Sequence, residues 1–247
     1  ADLSLFVGVP DDISDERFGF MLPNKREYAS TRYRFIGQVI PFDPEGLPPR
    51  DILRKELGFG TGPLLVCSAG GTAAGKPLLE LCRDAFPFLR RQLHELTMLI
   101  AAGPRIDPEY LAVAGVGGNG RSGLQVLPFV PGLYRYFAAA DLCIIQAGGM
   151  TSAELSALDT PFFYIPLEGH SEQEQHSFEK LRQVECGIPL RFRDLTPRSL
   201  AQAVLQKLQY SGCGRAPSGN RFRRKAGFDG AARAAEEILG CLNAGGP

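Results

Sequence analysis

From residue 51 onward the chain alternates short, wholly apolar runs with longer runs whose apolar residues recur at helical spacing. The runs at 63–67, 97–101, 124–127, 142–145, 161–165 and 188–192 predict strands. The segments 51–57, 75–86, 107–114, 132–139, 151–158, 172–184, 197–208 and 230–242 predict helices. The second of these is expected to break at Pro87, because proline has no N–H for the helical ladder. Apolar strands alternating with helices predict parallel βαβ units. The expected class is α/β: a Rossmann-like, doubly wound parallel sheet of about six strands flanked by helices. Ligands of such sheets bind at the carboxyl ends of the strands.

Residues 8–50 break this rhythm. They are rich in Pro, Gly and charge, with one apolar run at 33–39, and read as a connector carrying one strand. The chain enters directly on the strand-like Leu3-Ser4-Leu5-Phe6-Val7 without an initiator methionine, as a fragment or a processed half would. The expected division is 1–45, the end of a preceding domain plus linker, and 46–247, a ligand-binding domain. Residues 211–225, rich in Gly, Arg and Ser, read as a loop.

Composition removes several classes of function. The 27 basic and 27 acidic residues cancel, so no global field favours nucleic acid or an anionic membrane. No apolar run approaches the ~20 residues needed to span a bilayer. No basic-then-apolar start marks a signal peptide. The six cysteines, at 67, 82, 143, 186, 213 and 241, form no C-x-x-C pair, which fits a reducing cytoplasm. Cys67 and Cys143 read as small buried hydrophobes. His94, His170 and His176 are too scattered for a metal cluster, and Asp11-Asp12 reads as linker.

The chemistry concentrates after the 142–145 strand, where the chain reads Gln146-Ala-Gly148-Gly149-Met150-Thr151-Ser-Ala-Glu154. A strand, a glycine turn and a helix start make a phosphate site, because backbone N–H groups and the positive helix end face the ligand. Glu154, about one turn into the helix, can accept from two vicinal hydroxyls, as on a ribose. A plainer reading stands beside it: Thr151-x-x-Glu154 is also the pattern of a capping box.

Three further loops follow strand ends. Gly70-Gly71-Thr72 is a second glycine turn, matching neither the dinucleotide nor the P-loop pattern. Phe129-Val130 offers an apolar face and free backbone groups to an aromatic base; alternatively Phe129 is an ordinary buried residue of a turn. Glu172-Gln173, with His170 nearby, offers ligands to sugar hydroxyls; alternatively these acids are a solvated first turn of a helix.

Taken together these loops resemble the C-terminal, donor-binding half of GT-B glycosyltransferases. They are most similar to the family of the bacterial UDP-GlcNAc lipid-intermediate transferase, glycosyltransferase family 28. The resemblance covers about residues 30–242. It implies that Gly70, Gly71, Thr72, Gly148, Gly149, Met150 and Thr151 hold the nucleotide diphosphate. It implies Glu154 for the ribose, Phe129 and Val130 for the base, and Glu172 and Gln173 for the donor sugar. The sequence departs from the family at Gln146, where many relatives carry His or Arg, and at His176, where an Asn is common.

The resemblance implies a hexosyltransferase using a UDP-sugar or another nucleotide sugar, with no cofactor and no obligate metal. The catalytic base and the acceptor site are expected in an N-terminal domain outside this chain, with His170 a weak local candidate. The chain alone is therefore expected to be inactive in transfer. Two alternatives stay open: a GT-B-fold nucleotide-sugar epimerase, and the donor-binding subunit of a split two-chain transferase. The expected location is the cytoplasm, with peripheral association at the inner membrane face, through the acceptor, left open.

Overall fold

The computed structural model describes residues 3–112, 123–167, 169, 187–210 and 227–244. These fall into two compact units, one of residues 1–43 with 220–247 and one of residues 44–219.

The larger unit is built on a six-stranded, wholly parallel sheet. Its strands are β3 (Leu64–Ser68), β4 (Thr97–Ala101), β5 (Gly123–Leu127), β6 (Leu142–Gln146), β7 (Phe162–Ile165) and β8 (Gly187–Pro189). The spatial order is β5-β4-β3-β6-β7-β8. The chain thus builds outward from β3 in one direction, returns to its other side at β6, and builds away again. The carboxyl ends of β3 and β6 form the topological switch point, where ligands bind in such sheets.

β3, β4 and β6 are buried at every position, so both faces of the sheet are covered. Alternate residues serve the two faces. Leu65 and Cys67, Met98 and Ile100, Leu142 and Ile144 join one core with helices α3 (Lys76–Arg90) and α7 (Pro197–Tyr210). The other described helices of this unit are α2 (Arg50–Glu56), α4 (Pro108–Leu111), α5 (Leu133–Ala139) and α6 (Gly149–Ala157). α2 packs on α5, and α5 packs on α6 and β3.

At the amino ends of the strands, Asp141 ties α2 to the sheet. Its carboxylate accepts from Arg50, from Arg54 Nη2 at 2.5 Å and from the Leu64 N–H at 2.7 Å. Both arginines also donate to the Ala139 carbonyl, which ends α5. This clamp holds the sheet edge remote from the switch point.

The expected helix break at Pro87 does not occur: α3 runs on to Arg90 with Pro87 inside it. Pro87 is exposed, while Phe86 and Leu89 on either side of it are buried. Core burial of the last turn outweighs one missing backbone bond. The expected strand at 188–192 is shorter, and a 3-10 turn at Phe192–Asp194 follows it. The expected helix at 172–184 and the loop at 211–225 lie outside the described residues.

In the smaller unit, β1 (Leu5–Val7) pairs in parallel with β2 (Arg34–Gly37). The stretch expected to be connector holds a helix, α1 (Lys25–Arg32), capped by the Asn24 side chain, which accepts from the N–H groups of Arg26 and Glu27. The last helix, α8 (Gly230–Ala244), belongs to this unit rather than to the larger one. Its Gly230 N–H donates to the Gln38 carbonyl at 3.2 Å, and a Cβ on Gly230 would stand 2.6 Å from that oxygen. The two units divide at 43/44 and again at 219/220.

Candidate nucleotide-sugar site

β6 delivers the glycine turn to the switch point. The helix α6 begins at Gly149, two residues before the expected start, with Gly148 as N-cap. No side chain caps it. Thr151 therefore stands inside the first turn, and the capping-box reading of Thr151 and Glu154 is excluded, since a capping box requires its Ser or Thr at the N-cap. The first-turn N–H groups, those of Gly149, Met150 and Thr151, have no earlier helical carbonyl to meet. With the positive end of the helix dipole they make a surface suited to an anion. Gly149 and Met150 are exposed there.

β3 delivers the second glycine turn beside it. Ser68 of β3 lies opposite Ile145 of β6 and Ala101 of β4. Gly70, Gly71 and Thr72 are all exposed, and Gly70 adopts the left-handed φ of +77°. Two glycines not singled out in the sequence set the position of this loop. A Cβ on Gly103, just past β4, would stand 2.6 Å from the Gly70 carbonyl oxygen. A Cβ on Gly75 would overlap the Ala69 side chain and stand 2.9 Å from Gln146 Oε1. The available signal was positional: each follows a buried strand, as the recognised glycines do.

Gly71, Gly148 and Gly149 differ from these. None has a left-handed φ. A Cβ would meet nothing within 4 Å at Gly71 or Gly149, and only the Gln146 carbonyl oxygen, at 3.9 Å, at Gly148. Neither backbone conformation nor packing among the described residues requires glycine at these three positions.

Glu154 is half-buried on the second turn of α6, and burial raises its carboxyl to about 7. Phe129 and Val130 follow β5, before the left-handed Gly132 that starts α5. Phe129 is 60% exposed, which sets aside the buried-turn reading of this residue. A cavity of about 210 Å³ lies at the switch point, between the start of α3 and the end of β7. Ala74, Pro77 and Leu78 from the start of α3, Gln146, Ile165 at the end of β7, and Phe192 line it. The sequence did not reveal this cavity. His170, Glu172 and Gln173 lie outside the described residues.

Across the carboxyl edge the order is therefore Phe129 and Val130 after β5, Gly103 after β4, Gly70–Thr72 after β3, Gly148–Glu154 after β6, then the end of β7. Four strand spacings separate β5 from β7, roughly 19 Å at about 4.8 Å each. The arrangement offers an exposed aromatic ring at one end, two glycine turns and a helix start in the middle, and a carboxylate on the second turn. Among the described residues no group of three or more His, Cys, Asp or Glu side chains is placed to hold a metal.

Residues 65–222 match the glycosyltransferase family 28 C-terminal domain. An uncharacterized glycosyltransferase from Methanopyrus kandleri is 26% identical over 98% of this chain and 62% of its own length. A UDP-N-acetylglucosamine–N-acetylmuramyl-(pentapeptide) pyrophosphoryl-undecaprenol N-acetylglucosamine transferase from Nocardia farcinica is 32% identical over 72% of this chain and 47% of its own. The chain thus spans about half to three-fifths of the length of these relatives. Among solved structures, the glycosyltransferase WaaG, involved in lipopolysaccharide biosynthesis, superposes with a TM-score of 0.59 at 19% identity, covering 85% of this chain and 57% of that one. The calicheamicin glycosyltransferase CalG4 gives 0.57 at 22%, covering 90% and 50%. These structural likenesses establish the GT-B type of fold. The switch-point sheet and its two glycine turns lie within the matched residues, and the chain belongs to the glycosyltransferase family 28 C-terminal domain family.

Proposed function

We propose that this chain is the donor-binding half of a glycosyltransferase that moves a hexosyl group from a UDP-sugar to a hydroxyl acceptor. The observation that carries this reading is the group of glycines, Gly71, Gly148 and Gly149, that nothing among the described residues requires. They lie on two loops flanking the switch point, where a diphosphate would need the backbone close. Gly70, Thr72, Met150 and Thr151 complete the cradle, Glu154 takes the ribose, and Phe129 with Val130 covers the base. Glu172 and Gln173, beyond β7, take the sugar. Backbone N–H groups and the α6 dipole stabilise the departing diphosphate, so the reading calls for no metal.

The relatives whose names specify a reaction use UDP-N-acetylglucosamine and a pyrophosphoryl-undecaprenol acceptor. They favour UDP as the nucleotide. The acceptor site and the catalytic base belong, in this reading, to a preceding domain, and the 247-residue chain alone binds donor without transferring sugar.

Calorimetric titration tests the reading. UDP should bind far more tightly than uridine, and Gly149→Val should remove that difference while circular dichroism stays unchanged. Equal affinity for UDP and uridine in the wild type would overturn the site. Transfer to any acceptor by this chain alone would overturn the assignment of the base elsewhere.

A further inference from the structure

The cavity of about 210 Å³ beside the proposed diphosphate cradle is not used by the cradle itself. Its wall is apolar: Pro77 and Leu78 of α3, Ile165 and Leu167 at the end of β7, and Phe192. Among the described residues that line it, Gln146 carries the one polar side chain, and Gln146 is only 9% exposed. Gly75 makes room for that amide, since a Cβ there would stand 2.9 Å from Gln146 Oε1.

Size and lining select the occupant. An apolar cavity of roughly 150 Å³ takes a benzene ring, so this one has room for a group of at least four carbons. A charged group inside it would lose its hydration with no counter-charge to replace it. A sugar ring suits it little better, because one amide cannot satisfy several buried hydroxyls. Gln146 offers a single donor-and-acceptor pair, which matches one amide of an occupant, N–H to C=O and C=O to N–H. The fitting group is therefore one amide followed by a short hydrocarbon chain.

The order of strands says where such a group would come from. Phe129 follows β5, and the two glycine turns follow β3 and β6. An extended nucleotide sugar with its base at β5 and its diphosphate on the turns has its sugar at the end of β7, which Ile165 and Leu167 share with the cavity. Resting on the donor-binding reading, we propose that the donor is an amino sugar whose N-acyl chain enters this cavity. Its amide pairs with Gln146, its carbons pack on Leu78, Ile165 and Phe192, and the cavity takes a chain longer than acetyl.

Calorimetric titration of the full chain with UDP, UDP-glucose, UDP-N-acetylglucosamine and the N-propanoyl and N-butanoyl analogues of the last tests this. Affinity should rise about tenfold from UDP-glucose to UDP-N-acetylglucosamine, and roughly threefold more with each added methylene up to butanoyl. Ala74→Leu narrows the cavity, and should flatten the chain-length series when each affinity is taken relative to UDP on the same variant. If UDP binds but affinity is the same across the sugars, or falls from acetyl to butanoyl, this inference is overturned while the diphosphate site stands. A rise with chain length that Ala74→Leu leaves unchanged would put the chain outside the cavity and overturn it as well. Failure of UDP itself to bind would overturn the donor reading, and this inference with it.

Discussion

Gly75 and Gln146 touch across the switch point: a Cβ on Gly75 would stand 2.9 Å from Gln146 Oε1 and overlap the Ala69 side chain. Gly75 immediately precedes α3 and Gln146 ends β6. This contact fixes how far apart the two glycine turns stand, and so the width of the proposed diphosphate cradle.

Gly75→Ala should therefore act on the site without touching a ligand. Forcing a methyl into a filled space costs about 1–3 kcal/mol of stability. UDP affinity should fall together with the urea midpoint, as the turns are pushed apart. Gly71→Ala is the paired control, because its Cβ meets nothing within 4 Å. Its stability should stay within about 0.5 kcal/mol of wild type. Equal urea midpoints for Gly75→Ala and wild type would show that Gly75 is not a spacer.

Glu154 makes both stability and ligand choice depend on pH. Burial raises its carboxyl from 4.5 to about 7. The folded chain holds the proton more tightly than the unfolded chain does. The corresponding stability is full below about 4.5 and is lost as pH rises through about 7. Glu154→Gln should be more stable than wild type at about pH 8, with the difference shrinking at about pH 5. Only the ionised carboxylate accepts from both ribose hydroxyls. The preference for UDP over 2′-deoxy-UDP should therefore grow between about pH 6 and about pH 8, by up to the roughly 1.5–3 kcal/mol of a charged hydrogen bond. Comparison with Glu154→Gln removes the titration of the phosphate itself. A preference that is flat with pH in the wild type would remove Glu154 from the ribose site.

Pro87 sits in α3 on its solvent side, where it takes one N–H out of the ladder. Pro87→Ala should restore that bond. The expected gain is about 1–3 kcal/mol, reduced by the stiffness that proline gives the unfolded chain. Thermal and urea unfolding would measure it. A loss of stability would mean that the ring makes a packing contribution its exposure does not show.

The same residue shows where local pattern misleads. Proline's effect on a helix is a local rule, and it pointed to a break at 87. Phe86 and Leu89 continue the buried face of α3, and burial in a shared core is a sum over distant partners. In residues 8–50 the helix α1 was missed for a related reason. It buries only Ala29, so it has almost no apolar stripe to detect, and its clearest signal was the capping Asn24.

The amino-acid sequence by itself determined the α/β class, the parallel sheet, and the strand–glycine–helix junctions at 68–75 and 146–154. Those features depend on spacing along the chain: apolar runs of strand length, and glycine where the backbone must turn. Tertiary structure decided what spacing cannot reach. It placed β6 beside β3, so that glycine turns about 75 residues apart share one crevice. It started α6 at Gly149 rather than at Thr151, left Phe129 exposed, and joined α8 to the N-terminal unit. It also separated Gly75 and Gly103, which packing requires, from Gly71, Gly148 and Gly149, which packing among the described residues does not. A glycine looks the same in sequence whether a neighbouring carbonyl or a ligand excludes its Cβ, and only the surrounding atoms distinguish the two.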